Sequence, residues 1–268
     1  MPSNETRDSD AILRCERLDR TFVSRDAGEN RVLQDINFEM RKGEFVVLIG
    51  PSGCGKSTLL NIIAGFDRQT AGLALIDGRP IAGPGPDKAM VFQDYALLPW
   101  LNARENIEIG LKMQRMPAAQ RTETALRFLE LVGLAEAAER PVYKLSGGMQ
   151  QRVSIARALA LEPKVLLMDE PFGALDAFQR AIMHKELVRI WRATQATIIF
   201  VTHSLEEAVF LGERVVAMTP RAVGLTGELR IDMPRPRDPL SPEFAAVKRR
   251  LFEMITSHLT EEVAVFAE

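Results

Sequence analysis

The segment Phe45–Phe66 reads FVVLIGPSGCGKSTLLNIIAGF, an apolar run, a glycine-rich stretch and a second apolar run. FVVLI has no polar residue on either face, so it reads as a strand buried on both sides, as in a parallel sheet. GPSGCGKS, Gly50–Ser57, fits the pattern G-x-x-x-x-G-K-[ST]. Glycines let the backbone wrap closely, so that its N–H groups and the following helix N-terminus converge on phosphates. Lys56 adds a point charge, and the Ser57 hydroxyl suits Mg2+. The candidate nucleotide-binding residues are Gly50, Pro51, Ser52, Gly53, Cys54, Gly55, Lys56, Ser57 and Thr58. A strand, a phosphate loop and a helix in this order commit the chain to an α/β fold.

The rest of the sequence agrees. VLLMD (165–169), TIIFVT (197–202) and RVVAMT (214–219) read as further buried strands. Helical patterns run over 57–65, 104–113, 119–132, 149–161, 178–193, 204–211 and 243–257. ILRCERL (12–18) and VLQDINFEM (32–40) alternate more and precede any helix, which predicts an antiparallel β region with a hairpin around 24–30. Residues 101–143 are almost wholly helical in pattern, broken at Pro117. The expectation is a phosphate-loop NTPase core with a largely parallel sheet over 10–100 and 160–232, an inserted helical subdomain over 101–159, and a C-terminal extension over 233–268. Formal net charge is −2, with acidic and basic residues interspersed, so no nucleic-acid-binding stripe stands out. Cys15 and Cys54 have neither metal nor disulfide spacing. The N-terminus lacks the pattern of a secretory signal, and no apolar run reaches the length of a spanning helix. The expectation is a soluble, cytoplasmic protein.

VLLMDEP (165–171) ends a strand in two carboxylates, at the edge where open α/β sheets bind ligands. Asp169 suits Mg2+ through a water, and Glu170 suits a general base that polarises the attacking water. These motifs alone fit a kinase, a GTPase or a helicase. LSGGMQQR (145–152) decides among them. Ser146 with two glycines at a helix start is either a serine-capped turn or a second anion cradle. One triphosphate needs one cradle, so a second implies another ligand or a partner's nucleotide.

LSGGMQQR, followed closely by VLLMDEP, resembles the signature motif of ATP-binding cassette (ABC) ATPases, and the motif order matches that family over almost the whole chain. The resemblance implies that Phe22, in RTFVSR, stacks on adenine, the alternative being a core phenylalanine. It implies that Gln93 reaches Mg2+ and the attacking water, and that Asp176 in GALD communicates across a dimer. Gly173 stands where the family often has serine. His203, ending TIIFVTH, matches the histidine that contacts the γ-phosphate. His184 and His258 read as surface residues. The implied mechanism is two-site hydrolysis of ATP with Mg2+ in a head-to-tail homodimer. ATP on Gly50–Thr58 of one copy would be covered by Ser146, Gly147 and Gly148 of the other.

VFQDYALLPWLNARENI (91–107), DEPFGALDAF (169–178) and MPRPRD (233–238) resemble ATP-binding subunits of bacterial importers for nitrate, taurine and alkanesulfonates. The expectation is a chain without the appended regulatory domain of sugar-importer cassettes. This resemblance implies a separate integral membrane permease, a substrate-binding protein reached indirectly, and a peripheral position on the cytoplasmic face of the inner membrane. Leu97, Leu98, Pro99 and Trp100 would receive the permease's coupling helix, unless Trp100 packs beneath the helical subdomain. In such systems the transported molecule never contacts the ATPase. A soluble ABC ATPase of cofactor assembly, or of another non-transport process, is the alternative.

Overall fold

In the computed structural model, which describes residues 11–24, 28–219 and 224–265 and side chains as far as 256, the chain opens with two long antiparallel strands. These are β1 (Ala11–Ser24) and β2 (Gly28–Arg41), paired so that Ser24 faces Gly28. Residues 25–27 of the expected turn lie outside the described residues, as does the N-terminal segment 1–10. Along β2, Ile36, Phe38 and Met40 are buried while Asn37 and Glu39 are exposed, the period of a strand with one wet face. There follow β3 (Phe45–Ile49), α1 (Lys56–Ala64), β4 (Ala71–Ile76), β5 (Arg79–Pro80) and β6 (Lys88–Val91). Four helices and one strand come next: α2 (Ala103–Met113), α3 (Ala118–Leu131), α4 (Gly147–Leu159), β7 (Val165–Asp169) and α5 (Ala177–Thr194). The chain continues through β8 (Ile198–Thr202), α6 (Leu205–Leu211), β9 (Arg214–Met218), β10 (Leu225–Arg230) and α7 (Pro242–Val265). The apolar runs read above did not include β4, β5, β6 and β10. Of these, β5 and β6 are short and β10 carries polar residues, whereas β4 (AGLALI) is apolar but exposed over its first three residues.

The described residues form two compact units, one comprising residues up to 84 and from 197 onward, the other residues 85–196. In the first, β2, β1, β4 and β5 make an antiparallel sheet in that order. A second sheet of this unit runs β10-β9-β3-β8. There β3 is parallel to both β8 and β9, and all fifteen residues of these three strands are buried. The register sets Ile49 level with Thr202 and Ala217, so the C-terminal ends of the three strands share one edge. Behind that edge Arg214, only 9% exposed, bonds Glu44, Glu228 and the Glu39 carbonyl. A buried guanidinium is tolerable only with such a full set of acceptors.

The second unit pairs β6 with β7 in parallel and packs α4 on β6 and on α5, with α2, α3 and α4 in mutual contact. Asn102 starts α2 through a reciprocal capping box with Glu105. On α5 the buried stripe is Met183, His184, Leu187, Ile190 and Trp191, the spacing of one helix face. His184 is therefore not the surface residue that the sequence suggests. It is 5% exposed, and its ring centroid lies 5.5 Å from that of Phe172. His258 falls among residues whose side chains are not described.

Candidate functional site

At the C-terminal edge of β3 the chain turns through Gly50–Gly55 into α1. Gly55 holds φ +98, and a Cβ there would lie 2.7 Å from Leu33 Cδ2. A Cβ on Gly50 would lie 2.2 Å from the Met218 carbonyl oxygen. Both positions therefore exclude any side chain. The helix begins without a side-chain cap, as does α3, whereas α2, α4, α5 and α6 are each capped by a side chain. A helix start that follows a glycine-rich turn is a ready anion site. Lys56 is 5% exposed, and its ammonium donates to the Gly50 and Pro51 carbonyls at 2.7 and 2.9 Å. A buried cation held only by neutral acceptors is a ready partner for a polyphosphate.

In the same unit His203 follows β8 directly, one position beyond the Ile49–Thr202 pair and so level with Gly50. It is exposed, while its neighbours are tightly held. The Thr202 hydroxyl bonds the Glu207 carboxylate and accepts from the Ser204 amide at 3.0 Å, and Ser204 Oγ caps α6 by accepting from the Glu207 amide at 3.3 Å. Phe22 on β1 is 39% exposed, with the Arg20 guanidinium 4.2 Å over its ring. Asp67 fixes Arg20 through both carboxylate oxygens, at 3.0 and 2.8 Å. Phe22 is therefore not a core residue; it is an aromatic face backed by a cation.

The second unit holds Gln93, Asp169, Glu170, Ser146–Gly148 and Asp176. Glu170 follows β7 with φ +43, an uncommon conformation for a residue with a side chain, of the kind that clusters at functional sites. Its carbonyl accepts from the Gly173 amide at 3.0 Å. A Cβ on Gly173 would lie 2.9 Å from Gln93 Nε2, so the Gln93 amide rests on the turn that begins at Glu170. Asp176 caps α5 through the Gln179 amide at 2.8 Å. Ser146 caps α4 through the Met149 amide at 3.4 Å. Cβ atoms on Gly147 and Gly148 would come within 2.9 Å of Tyr95 Oη and 2.7 Å of Gln179 Oε1. The signature glycines thus admit Tyr95 and Gln179 side chains from their own unit.

Sequence reasoning missed what shapes the loop after Gln93. Tyr95 and Ala96 both have positive φ, +56 and +48. Arg157 of α4 donates to their carbonyls at 3.1 and 2.7 Å. Burial pulls the Arg157 pKa below the usual arginine value. The available signal was a lone arginine inside the apolar run VSIARALAL. Asn106, wholly buried, accepts from the Leu98 amide and donates to the Leu98 carbonyl, at 2.8 and 3.2 Å. Leu97 and Leu98 are half-buried, Pro99 is exposed, and Trp100 is 74% exposed, so it does not pack beneath the helices.

Among the described residues no cluster of three or more His, Cys, Asp or Glu side chains forms a metal cage. Ser57 in the first unit and Gln93 and Asp169 in the second each carry an oxygen of the kind that Mg2+ takes, and Mg2+ commonly takes few protein ligands beside substrate phosphates.

Residues 33–173 match the family model described as ABC transporter. The chain is similar to the nitrate import ATP-binding protein NrtD of Synechocystis sp., 43% identical over 93% of this chain and 97% of that protein. It is also similar to the taurine import ATP-binding protein TauB of Pseudomonas aeruginosa, 46% identical over 83% of this chain and 84% of that protein. Among solved structures, a dimeric ATP-binding cassette in a post-hydrolysis state, bound to ADP and Pi, superposes with TM-score 0.71 and 32% identity. That match covers 83% of this chain and 100% of the other.

Proposed function

Because this chain belongs to the ABC transporter family, as an ABC-type ATPase with importer-type relatives, we propose that it is the ATP-hydrolysing subunit of an importer. It drives uptake of a small molecule of the nitrate, taurine or sulfonate type through a separate permease. The observation that carries the reading is the uncapped start of α1 with the buried Lys56 ammonium on loop carbonyls. A triphosphate is a stronger partner for both.

Each residue then has a role. The Gly53–Thr58 amides and Lys56 bind the β- and γ-phosphates, and Phe22, backed by Arg20, stacks on adenine. Glu170 takes a proton from the attacking water as its oxygen bonds the γ-phosphorus and the bond to ADP breaks. Gln93 and His203 orient that water and the γ-phosphate. Mg2+, held by Ser57, Gln93 and, through a water, Asp169, would neutralise phosphate charge. Ser146, Gly147 and Gly148 of a second copy cover the nucleotide, with Asp176 at the same contact, so ATP favours a closed homodimer by contacts the open state lacks. Leu97–Trp100 receive the permease, which places the protein at the cytoplasmic face of the inner membrane as a peripheral subunit. A substrate-binding protein takes part indirectly, and no nucleic acid is involved.

The variant Glu170→Gln tests the chemistry. It should bind ATP normally, elute as a dimer with ATP, and lose about a hundredfold or more in kcat, the usual worth of a general base. Wild-type turnover would remove Glu170 from the role of base. Capture of the tagged chain from native membranes tests the biology. Co-purification of an integral permease is expected, and recovery in a soluble assembly complex would reverse the transport assignment.

A further inference from the structure

The segment after β10 makes an unusual set of contacts with α6. Arg237, 6% exposed, donates to the carbonyls of Val209, Phe210 and Gly212 with one nitrogen, at 2.6, 3.4 and 2.5 Å. Its other nitrogens reach the Ile231 and Met233 carbonyls at 3.1 and 3.2 Å. Arg235 donates to the Phe210 carbonyl at 2.7 Å and also to the Leu211 carbonyl. Two arginines thus take the last three carbonyls of α6 and the one beyond, groups that a helix C-terminus otherwise leaves without partners. Their charges also oppose the negative end of the helix dipole. Burial drags the Arg237 pKa down to about 10, still leaving it charged at neutral pH.

A seven-residue helix has little stability of its own, so its end contacts decide where it lies. The other end of α6 is the Thr202–Ser204–Glu207 network that brackets His203. The helix also packs on β3, whose C-terminus opens into the phosphate loop. One short rigid body therefore links the arginine pair to the histidine, all within one unit of the fold.

We propose that Arg235 and Arg237 are positioning residues for ATP hydrolysis: they anchor the C-terminus of α6 and thereby fix His203 at the level of the phosphate loop. The proposal rests on the reading of His203 as the γ-phosphate contact. It gives the MPRPRD segment a task in turnover beyond closing the first unit. Loosening the anchor leaves Gly50–Thr58 intact, so nucleotide affinity holds while the hydrolytic step slows.

The test is a double-mutant cycle on single-turnover hydrolysis at saturating ATP. Arg237→Lys keeps the charge and loses the planar fork. Arg235→Ala, at a half-exposed position, is the milder variant should Arg237→Lys fold poorly. Each should slow hydrolysis about tenfold, the scale of small misplacements at a reacting centre, with the Kd for a fluorescent ATP analogue within about twofold of wild type. In a His203→Ala background neither should slow hydrolysis further, because the effect acts through His203. If His203→Ala is slow and the arginine effect multiplies upon it, the anchor proposal is overturned alone. If His203→Ala turns over at the wild-type rate, the reading of His203 is wrong and the anchor proposal goes with it.

Discussion

Gly173 carries more information in the structure than its lack of a side chain suggests. Its missing Cβ is the space in which the Gln93 amide rests, 2.9 Å from where that carbon would sit. Gly173 is not among the residues with positive φ, so serine is conformationally acceptable there. Gln93 must yield most, and the Glu170 carbonyl oxygen, 3.3 Å from the added carbon, must give slightly. Gly173→Ser should therefore fold normally, with Tm within about 2 °C of wild type. Its kcat should fall about three- to tenfold as the amide shifts. Paired thermal melts and ATPase assays decide this, and unchanged turnover would mean that Gln93 has room to spare. The phosphate-loop pattern was legible in the sequence because its spacing is local. The structure leaves no room for a side chain at Gly50 and Gly55, and Lys56 is proposed to meet the phosphate charge. His184 was misread for the opposite reason. A polar type among charged neighbours reads as surface, and only the buried stripe of α5 with Phe172 against the ring says otherwise.

Among elements, the helix starts were read best. The expected beginnings of α2 at 104 and α5 at 178 fall within one residue of those observed. Capping explains this, since Asn102 and Asp176 satisfy orphan amides through their own side chains. Asn102 has further work, donating to Glu139 at 2.9 Å just after the exposed Trp100. Asn102→Ala should cost about 1 kcal/mol through loss of the cap, read as a Tm drop of about 2–4 °C. An unchanged melt would mean that α2 is held by packing alone. Among the missed elements, β10 carries polar residues, and β4, though apolar in sequence, is exposed over its first half. Their identity comes from neighbours: β4 pairs with β1, and β10 with β9. For β4 the partner lies far back along the chain and leaves no local trace, whereas β10 follows its partner β9 directly in element order.

For the whole molecule, the proposed transport role needs a surface that hydrolysis itself does not use. Trp100, 74% exposed, is large and apolar, and it sits beside a loop pinned by Asn106 and Arg157. Together with exposed Pro99 and half-buried Leu97 and Leu98 it forms a continuous apolar stretch, and contiguous exposed apolar patches commonly mark partner contacts. Trp100→Ala should change stability by less than about 0.5 kcal/mol and leave solution ATPase activity intact. Permease-stimulated activity in reconstituted membranes should fall sharply, and full stimulation would move docking elsewhere. The sequence by itself determined the family, the α/β class, the order of motifs and the chemical type of each proposed site residue. Those properties are set by short-range spacing and side-chain chemistry. Only the tertiary structure decided that Arg157 holds the carbonyls after Gln93, that Gly173 makes room for its amide, and that Arg235 and Arg237 grip the helix behind His203. Each is a contact between a side chain and a backbone distant along the chain. No periodicity or motif records which carbonyl a guanidinium will find once the strands have fixed where both can be.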